Sequence, residues 1–198
     1  FFDPSVQSTL LTYSIEELQQ NQVKETDLQK LLTDAVAVGY KIEAIEGTVA
    51  PYVDYGYYAQ FGALTTESTS AFYALMKVES DNPSQKDGGL LISWDEVLQR
   101  GINFEAFLKT YPESYYYERA SMHFEAYQEL ALNGSINVPL FEYETNVMND
   151  EAKTAYTFFV EKDMESEFAK LMKNYLTLLE KNNFIKTSEV ESFIDLQK

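Results

Sequence analysis

The chain has no cysteine among its 198 residues. Disulfides, thiol nucleophiles and cysteine-ligated zinc are therefore excluded together. Histidine is almost as scarce. His123 is the sole one, so a general base titrating near neutrality without perturbation would have to be that residue. A zinc site would have to be assembled from carboxylates and water in place of the usual nitrogen and sulfur donors. No cofactor and no metal site are expected.

Basic residues are few. Fifteen Lys and Arg stand against 32 Asp and Glu, a formal charge of −17. Such a surface repels a phosphate backbone, which excludes nucleic acid as a natural partner. No basic run is present to attract anionic lipid. No apolar run approaches the roughly 18 residues that cross a bilayer, so no membrane span is expected in this chain. Repeats with a period of 20 to 50 residues and Gly/Ser linkers are both missing, which argues against a solenoid and for a single domain. The 45% of hydrophobic residues supports a sizeable core.

Helical periodicity fills most of the sequence. Phe168, Leu171, Met172, Tyr175, Leu178 and Leu179, preceded by Met164, recur at the spacing of one buried helical stripe, with Asp163 as the capping residue. Leu28, Leu31, Leu32, Ala35, Val38, Ile42 and Ile45 form a second such pattern, opened by a Thr26/Gln29 box and closed at Gly47. Asp3-Pro4 begins a first helix, and Pro51 opens a short aromatic one that reaches Phe61. A helix carrying Phe72, Leu75 and Met76 stops at Asn82-Pro83. Ser93 to Gly101, Asn103 to Leu108 and Pro112 to Leu132 continue the series, with Gly134 beyond the last. After an irregular stretch from Ser135 to Asn149, helices are expected over 150–161, 163–181 and from Ser188 onward. The expected fold is all-α: a single-domain irregular bundle of about nine helices over 1–198, with 1–22 as a loosely attached first helix.

The aromatic residues mark the candidate binding site. Tyr115-Tyr116-Tyr117, read as consecutive helical residues, sweep more of a helix than one buried stripe covers, so at least one should face solvent or a cleft. Tyr52, Tyr55, Tyr57, Tyr58 and Phe61 surround Asp54 in the same manner. Tyr and Arg bind glycans and peptides well, offering apolar area with a hydrogen-bonding tip. Tyr52, Asp54, Tyr55, Tyr58, Tyr115, Tyr116, Arg119 and His123 are therefore the ligand-binding candidates, expected on two helices flanking an aromatic cleft. Arg119, His123 and Tyr127 share one helix face by their spacing of four. A calcium loop beginning at Asp81 fails, because Pro83 and Gln85 fall at ligand positions and Lys86 where glycine belongs. No Gly-x-Ser-x-Gly nucleophile elbow is present.

The stretch Ala74-Leu75-Met76-Lys77-Val78-Glu79-Ser80-Asp81-Asn82-Pro83, followed by Gly88-Gly89-Leu90, resembles the start of the lytic transglycosylase signature. That resemblance implies a wall-glycan lyase or hydrolase in which Glu79 is the general acid/base, with Asp54 or Asp87 assisting. Leu91-Ile92 stands where the family has Met-Gln, and no Tyr-Asn-Ala-Gly follows. Over more of the chain, Glu46-Gly47 with Pro51, Asp54-Tyr55, Asp87-Gly88-Gly89-Leu90, Glu105-Ala106-Phe107, Tyr111-Pro112 and Leu132-Asn133-Gly134 with Pro139-Leu140-Phe141 resemble helical cell-surface lipoproteins of Gram-positive bacteria. That resemblance implies export and a cell-envelope location. It agrees with the absence of cysteine and with a chain beginning at Phe1, as if behind a signal segment with a lipid anchor upstream. The favoured expectation is an extracellular, cell-surface anchored binding module with an aromatic, acidic surface and no catalytic role. Its partners would be cell-wall glycan, a peptide or another envelope protein.

Overall fold

The computed structural model describes every residue except Glu46, Asp163, Met164 and Lys198. Among the described residues the chain forms ten α-helices, one short 3-10 helix and two antiparallel two-stranded sheets. It is thus mostly helical, with one helix more than expected and with strands that helical periodicity does not anticipate. It divides into two compact units, Phe1–Asn82 and Pro83–Lys198.

In the first unit, α1 (Pro4–Leu10) starts where the Asp3 carboxylate accepts from Ser5 N–H at 2.8 Å with proline at the first helical position. A capping box between Ser14 and Glu17 opens α2 (Ile15–Gln19). Residues 1–22 therefore hold two helices, and their Leu10 and Leu18 are buried together with Val23, Leu28, Leu32, Ile42 and Val49.

The largest correction concerns the helix expected from Thr26 to Gly47. It ends early, as α3 (Thr26–Ala37), and is followed by β1 (Tyr40–Ile45) and β2 (Thr48–Val53). Gly39, at φ +83°, breaks the helix, and Ile45 faces Thr48 across a connection containing Gly47 at φ +74°. A left-handed glycine in a two-residue connection suits a tight hairpin. Val38 and Ile42 match a helical stripe, yet Ile42 also alternates with polar Lys41 and Glu43, and the strand wins once Gly39 ends the helix. Pro51 lies opposite Ile42 inside β2 and opens no helix. The amide of Gln7 closes the strand's outer edge at Val49, donating to its carbonyl at 2.6 Å and accepting from its N–H at 3.1 Å. Then come α4 (Tyr55–Ala59), the 3-10 turn Gly62–Leu64, and α5 (Glu67–Asp81).

The second unit begins with a hairpin, β3 (Gln85–Lys86) and β4 (Gly89–Leu90), turned by Asp87 and Gly88 at φ +49° and +75°. Two positive values at the centre are the twist that a two-residue hairpin needs. The two short helices expected on either side of Gly101 are one, α6 (Trp94–Thr110). Gly101 is interior to it because the Phe168 ring lies where a Cβ would stand, 2.6 Å away. Next is α7 (Tyr117–Asn133), which begins five residues later than Pro112. It is followed by α8 (Asp150–Val160), α9 (Glu167–Lys181) and α10 (Ser188–Asp195). Asp163, expected as the cap of α9, lies outside the described residues; Ser166 accepts from Ala169 N–H at 2.8 Å and caps the helix.

Two buried tyrosines close α7. Tyr156 donates to Ala131 C=O at 2.6 Å and Tyr175 to Leu132 C=O at 3.0 Å. Burial holds both hydroxyls above the ordinary phenol range, so they remain donors. Gly134 follows at φ +78°, packed so tightly that a Cβ would stand 2.4 Å from Leu140 N. At the start of α9 the carboxylate of Glu105 accepts from the N–H groups of Glu167 and Phe168 at 2.9 and 3.2 Å. It does from a neighbouring helix what a local cap does for the orphan N–H groups of a helix start.

Candidate functional site

A helix leaves its last carbonyls without partners. At the end of α3 they are met by aromatic side chains from α4. Tyr57 donates its hydroxyl to Ala37 C=O at 3.2 Å and Tyr58 donates to Val38 C=O at 2.9 Å. The two rings close over Gly39, where a Cβ would stand 2.6 Å from the Tyr57 ring and 2.8 Å from that of Tyr58. Burial and the phenols of Tyr40, Tyr57, Tyr73 and Tyr55 push the Tyr58 hydroxyl up, so it stays a donor throughout the physiological range. Tyr57 packs edge-on against Phe61 at 5.5 Å, and Tyr58 lies tilted against Tyr73 at 6.0 Å.

This arrangement joins two stretches that carry no charge at all, 35–40 and 55–66, in a chain where 24% of residues are charged. Val36, Val38, Tyr40, Phe61 and Leu64 are exposed on them, Leu64 by 84%. Tyr55 among these positions is buried, and the exposed side chains, brought together by the Tyr57 and Tyr58 contacts with the end of α3, make an uncharged aromatic and aliphatic face in a strongly acidic chain. Scattered single apolar residues need no explanation, but a contiguous set of them marks an interaction site. Val36, Val38, Tyr40 and Leu64 were not among the sequence candidates. The absence of charge from both stretches is visible in the sequence, but 4–15 and 130–141 share it, so it could not have singled these residues out.

The other candidates of the first unit have different surroundings. Tyr55 is buried, set edge-on against Phe72 at 6.3 Å, and belongs to the core. Tyr52 is exposed on β2 opposite Lys41, on the hairpin face that Ile42 and Val49 do not share. Asp54 caps α4, accepting from Tyr57 N–H at 3.2 Å. Its carboxylate and that of Asp81 both lie beside Gly56 with the ammonium of Lys77, which is held above its ordinary range first by Asp81 and then by Asp54. Glu79 is half-buried in the last turn of α5, and Ser80 beside it is buried.

Tyr115, Tyr116, Arg119 and His123 lie in the second unit, so the cleft expected between two helices is not formed within either unit. Tyr115 and Tyr116 precede α7 in a turn, which corrects their reading as helical residues. Tyr115 is 92% exposed and rests edge-on against Tyr116 at 5.2 Å. Arg119 is exposed. His123 is half-buried, stacked on Phe104 at 5.0 Å, and Phe104 stacks in turn on Tyr127 at 5.8 Å. Burial, helped by Arg119, lowers the imidazole pKa and favours the neutral ring. Arg100 is only 2% exposed, donating from Nε to Glu96 at 2.9 Å and from Nη1 to the Tyr127 hydroxyl at 3.3 Å. Arg100 joins α6 to α7 as a structural cation.

The stretch that resembles the transglycosylase signature divides in the same way. Glu79 and Ser80 end α5 in the first unit, whereas Gly88 and Gly89 form the turn of the β3–β4 hairpin in the second. Among the described residues no three His, Asp or Glu side chains converge on a point where a cation would sit, and no helix is long and apolar enough to cross a membrane. Comparison with protein-family models, with curated proteins and with solved structures returns no match in any of the three.

Proposed function

We propose that this chain is a non-catalytic binding module of the cell envelope that presents the uncharged face of Val36, Val38, Tyr40, Phe61 and Leu64 to a cell-wall glycan, a peptide or another envelope protein. One observation carries the reading. Val36, Val38, Tyr40, Phe61 and Leu64 stay exposed on two stretches without a charge in a strongly acidic chain, and the Tyr57 and Tyr58 hydrogen bonds to the end of α3 join those stretches. A face ordered before it meets a ligand loses less entropy on binding than a mobile one. The acidic remainder of the molecule keeps copies apart and the protein dispersed.

The test is capture of insoluble wall material and of envelope extract by the purified chain, compared with Phe61→Ser and Leu64→Ser. Leu64 is 84% exposed, so its change removes no core contact, whereas Phe61→Ser also removes the edge-on contact with Tyr57. The reading expects each variant to retain less of the bound fraction, Leu64→Ser with its melting temperature unchanged and Phe61→Ser with a lowered one. Capture equal to that of the parent chain would remove this face from consideration.

A further inference from the structure

The second unit carries a different exposed surface. Between α7 and α8 the chain runs through a loop that is held in place. Asn137 N–H donates to Gly88 C=O and its side-chain amide to Asp87 C=O, both at 2.8 Å, which welds the loop to the turn of the β3–β4 hairpin. Leu140 N–H donates to Asn133 C=O at 2.8 Å and Glu142 N–H to Val147 C=O at 2.9 Å. Lys186 N–H donates to Asn146 C=O at 2.8 Å and fixes the far side. Leu140, Phe141 and Met148 are buried from this loop, yet Ile136 and Tyr143 each remain 77% exposed. They are coupled, because the Tyr143 hydroxyl donates to Ile136 C=O at 2.9 Å. A phenol ring this exposed would ordinarily turn freely; here it is pinned.

We propose that Ile136, Tyr143 and the Asp87–Gly88 turn form a docking surface for a basic peptide segment that carries an apolar anchor beside its Lys or Arg. Charge complementarity selects this occupant. Tyr143 stands between exposed Glu142 and Glu144, Asp87 lies on the adjoining turn, and Lys86 is the one base of that turn. The Thr145 hydroxyl holds the Glu142 carboxylate at 2.9 Å. A guanidinium or ammonium laid on the Tyr143 ring meets the negative face of the π-system, with exposed carboxylates on the residues before and after it in the chain. A free cation would leave Ile136 uncovered, whereas an apolar side chain next to the base would cover it. The rigid loop means that the ordering cost falls on the peptide alone. This surface lies in a different unit from the uncharged face and does not depend on it.

The probe is a fluorescent amphipathic peptide of leucine and lysine, read by anisotropy against the full chain. Two further peptides accompany it, one with serine in place of leucine and one with glutamate in place of lysine. The proposal expects the leucine–lysine peptide to bind most tightly. It also expects Ile136→Ser, and separately Glu142→Gln with Glu144→Gln, to weaken that binding by about tenfold or more. Glu113→Gln with Glu118→Gln, which removes the same charge from the turn before α7 and the first turn of α7, should leave affinity unchanged. Each pair removes two of 32 acidic residues, so diffuse attraction to a negative protein would respond equally to both. Equal response of the two pairs, an unaltered Ile136→Ser variant, or equal binding of the serine–lysine peptide would each overturn the proposal. Equal melting temperatures would confirm that the variants are folded.

Discussion

Tyr58 donates its hydroxyl to the carbonyl of Val38 at 2.9 Å, twenty positions earlier in the chain, and its ring closes over the intervening Gly39. Tyr175 repeats the device in the other unit, donating to Leu132 two residues before Gly134. In both places a helix ends on a glycine with positive φ, and phenols from elsewhere receive its orphan carbonyls. Four of the chain's 15 tyrosines, Tyr57, Tyr58, Tyr156 and Tyr175, make such closures, and that separates these structural rings from those left exposed.

Removing only the hydroxyl isolates the closure. Tyr58→Phe keeps the ring over Gly39 and should lower stability by about 1 kcal/mol, the usual worth of one hydrogen bond. Tyr175→Phe should lower it further, since its site is buried and the Leu132 carbonyl would lose a partner out of reach of water. Urea denaturation of the two variants checks the order; equal effects would show that burial does not matter at these carbonyls.

Gly101 and Phe168 form a complementary pair. Gly101→Ala places a methyl group against the Phe168 ring and should cost about 1–3 kcal/mol through overpacking. Combining it with Phe168→Leu should recover part of that loss. A double-mutant cycle with no coupling would contradict the packing described here.

The Glu105 carboxylate is the cap that sequence reasoning missed, because its partners Glu167 and Phe168 lie 62 and 63 residues away. Glu105→Ala leaves two N–H groups at the start of α9 without an acceptor and should cost about 1–3 kcal/mol. Glu105→Gln, which retains an acceptor oxygen, should cost less. Thermal melts of the two variants decide it.

The histidine supplies a pH dependence with a definite sign. Burial and Arg119 lower the pKa of His123 below its ordinary 6.5 in the folded chain. Between that lowered value and 6.5 the unfolded chain binds the extra proton and the folded chain does not, so stability rises with pH there. The urea midpoint should therefore fall as pH drops below about 6.5. The capping carboxylates Asp3 and Glu17, and Glu25, which accepts from the Tyr13 hydroxyl, also have lowered pKa values and add their losses only nearer the ordinary carboxylate range. His123→Phe should flatten the upper part of the profile and leave the acid part intact. An unchanged upper part would show that another group is responsible.

Helices with long stripes and local caps were legible in the sequence. The stripe of α9 and the caps at Asp3 and Ser93 depend on residues within a few positions of each other, whereas the cap of α10 is Thr187, one residue before the Ser188 start expected. The hairpin at Tyr40–Val53 was hidden because Val38, Ile42 and Ile45 satisfy a helical period, and a glycine at position 39 decides the matter only through its positive φ. The tyrosine set of the candidate site was legible as a concentration of rings, but its sorting was not. Tyr55 is core, Tyr57 and Tyr58 are closures and Tyr115 is free surface, and these fates depend on carbonyls and rings that only the fold brings near.

The most direct test of the uncharged face is to map where a ligand touches. Hydrogen exchange of the purified chain, measured with and without soluble wall glycan fragments and with envelope-protein extract, reads every segment at once. The account predicts added protection confined to 36–40 and 57–64 with at least one of these partners. Protection centred on other segments, or the same exchange with every partner, would contradict it.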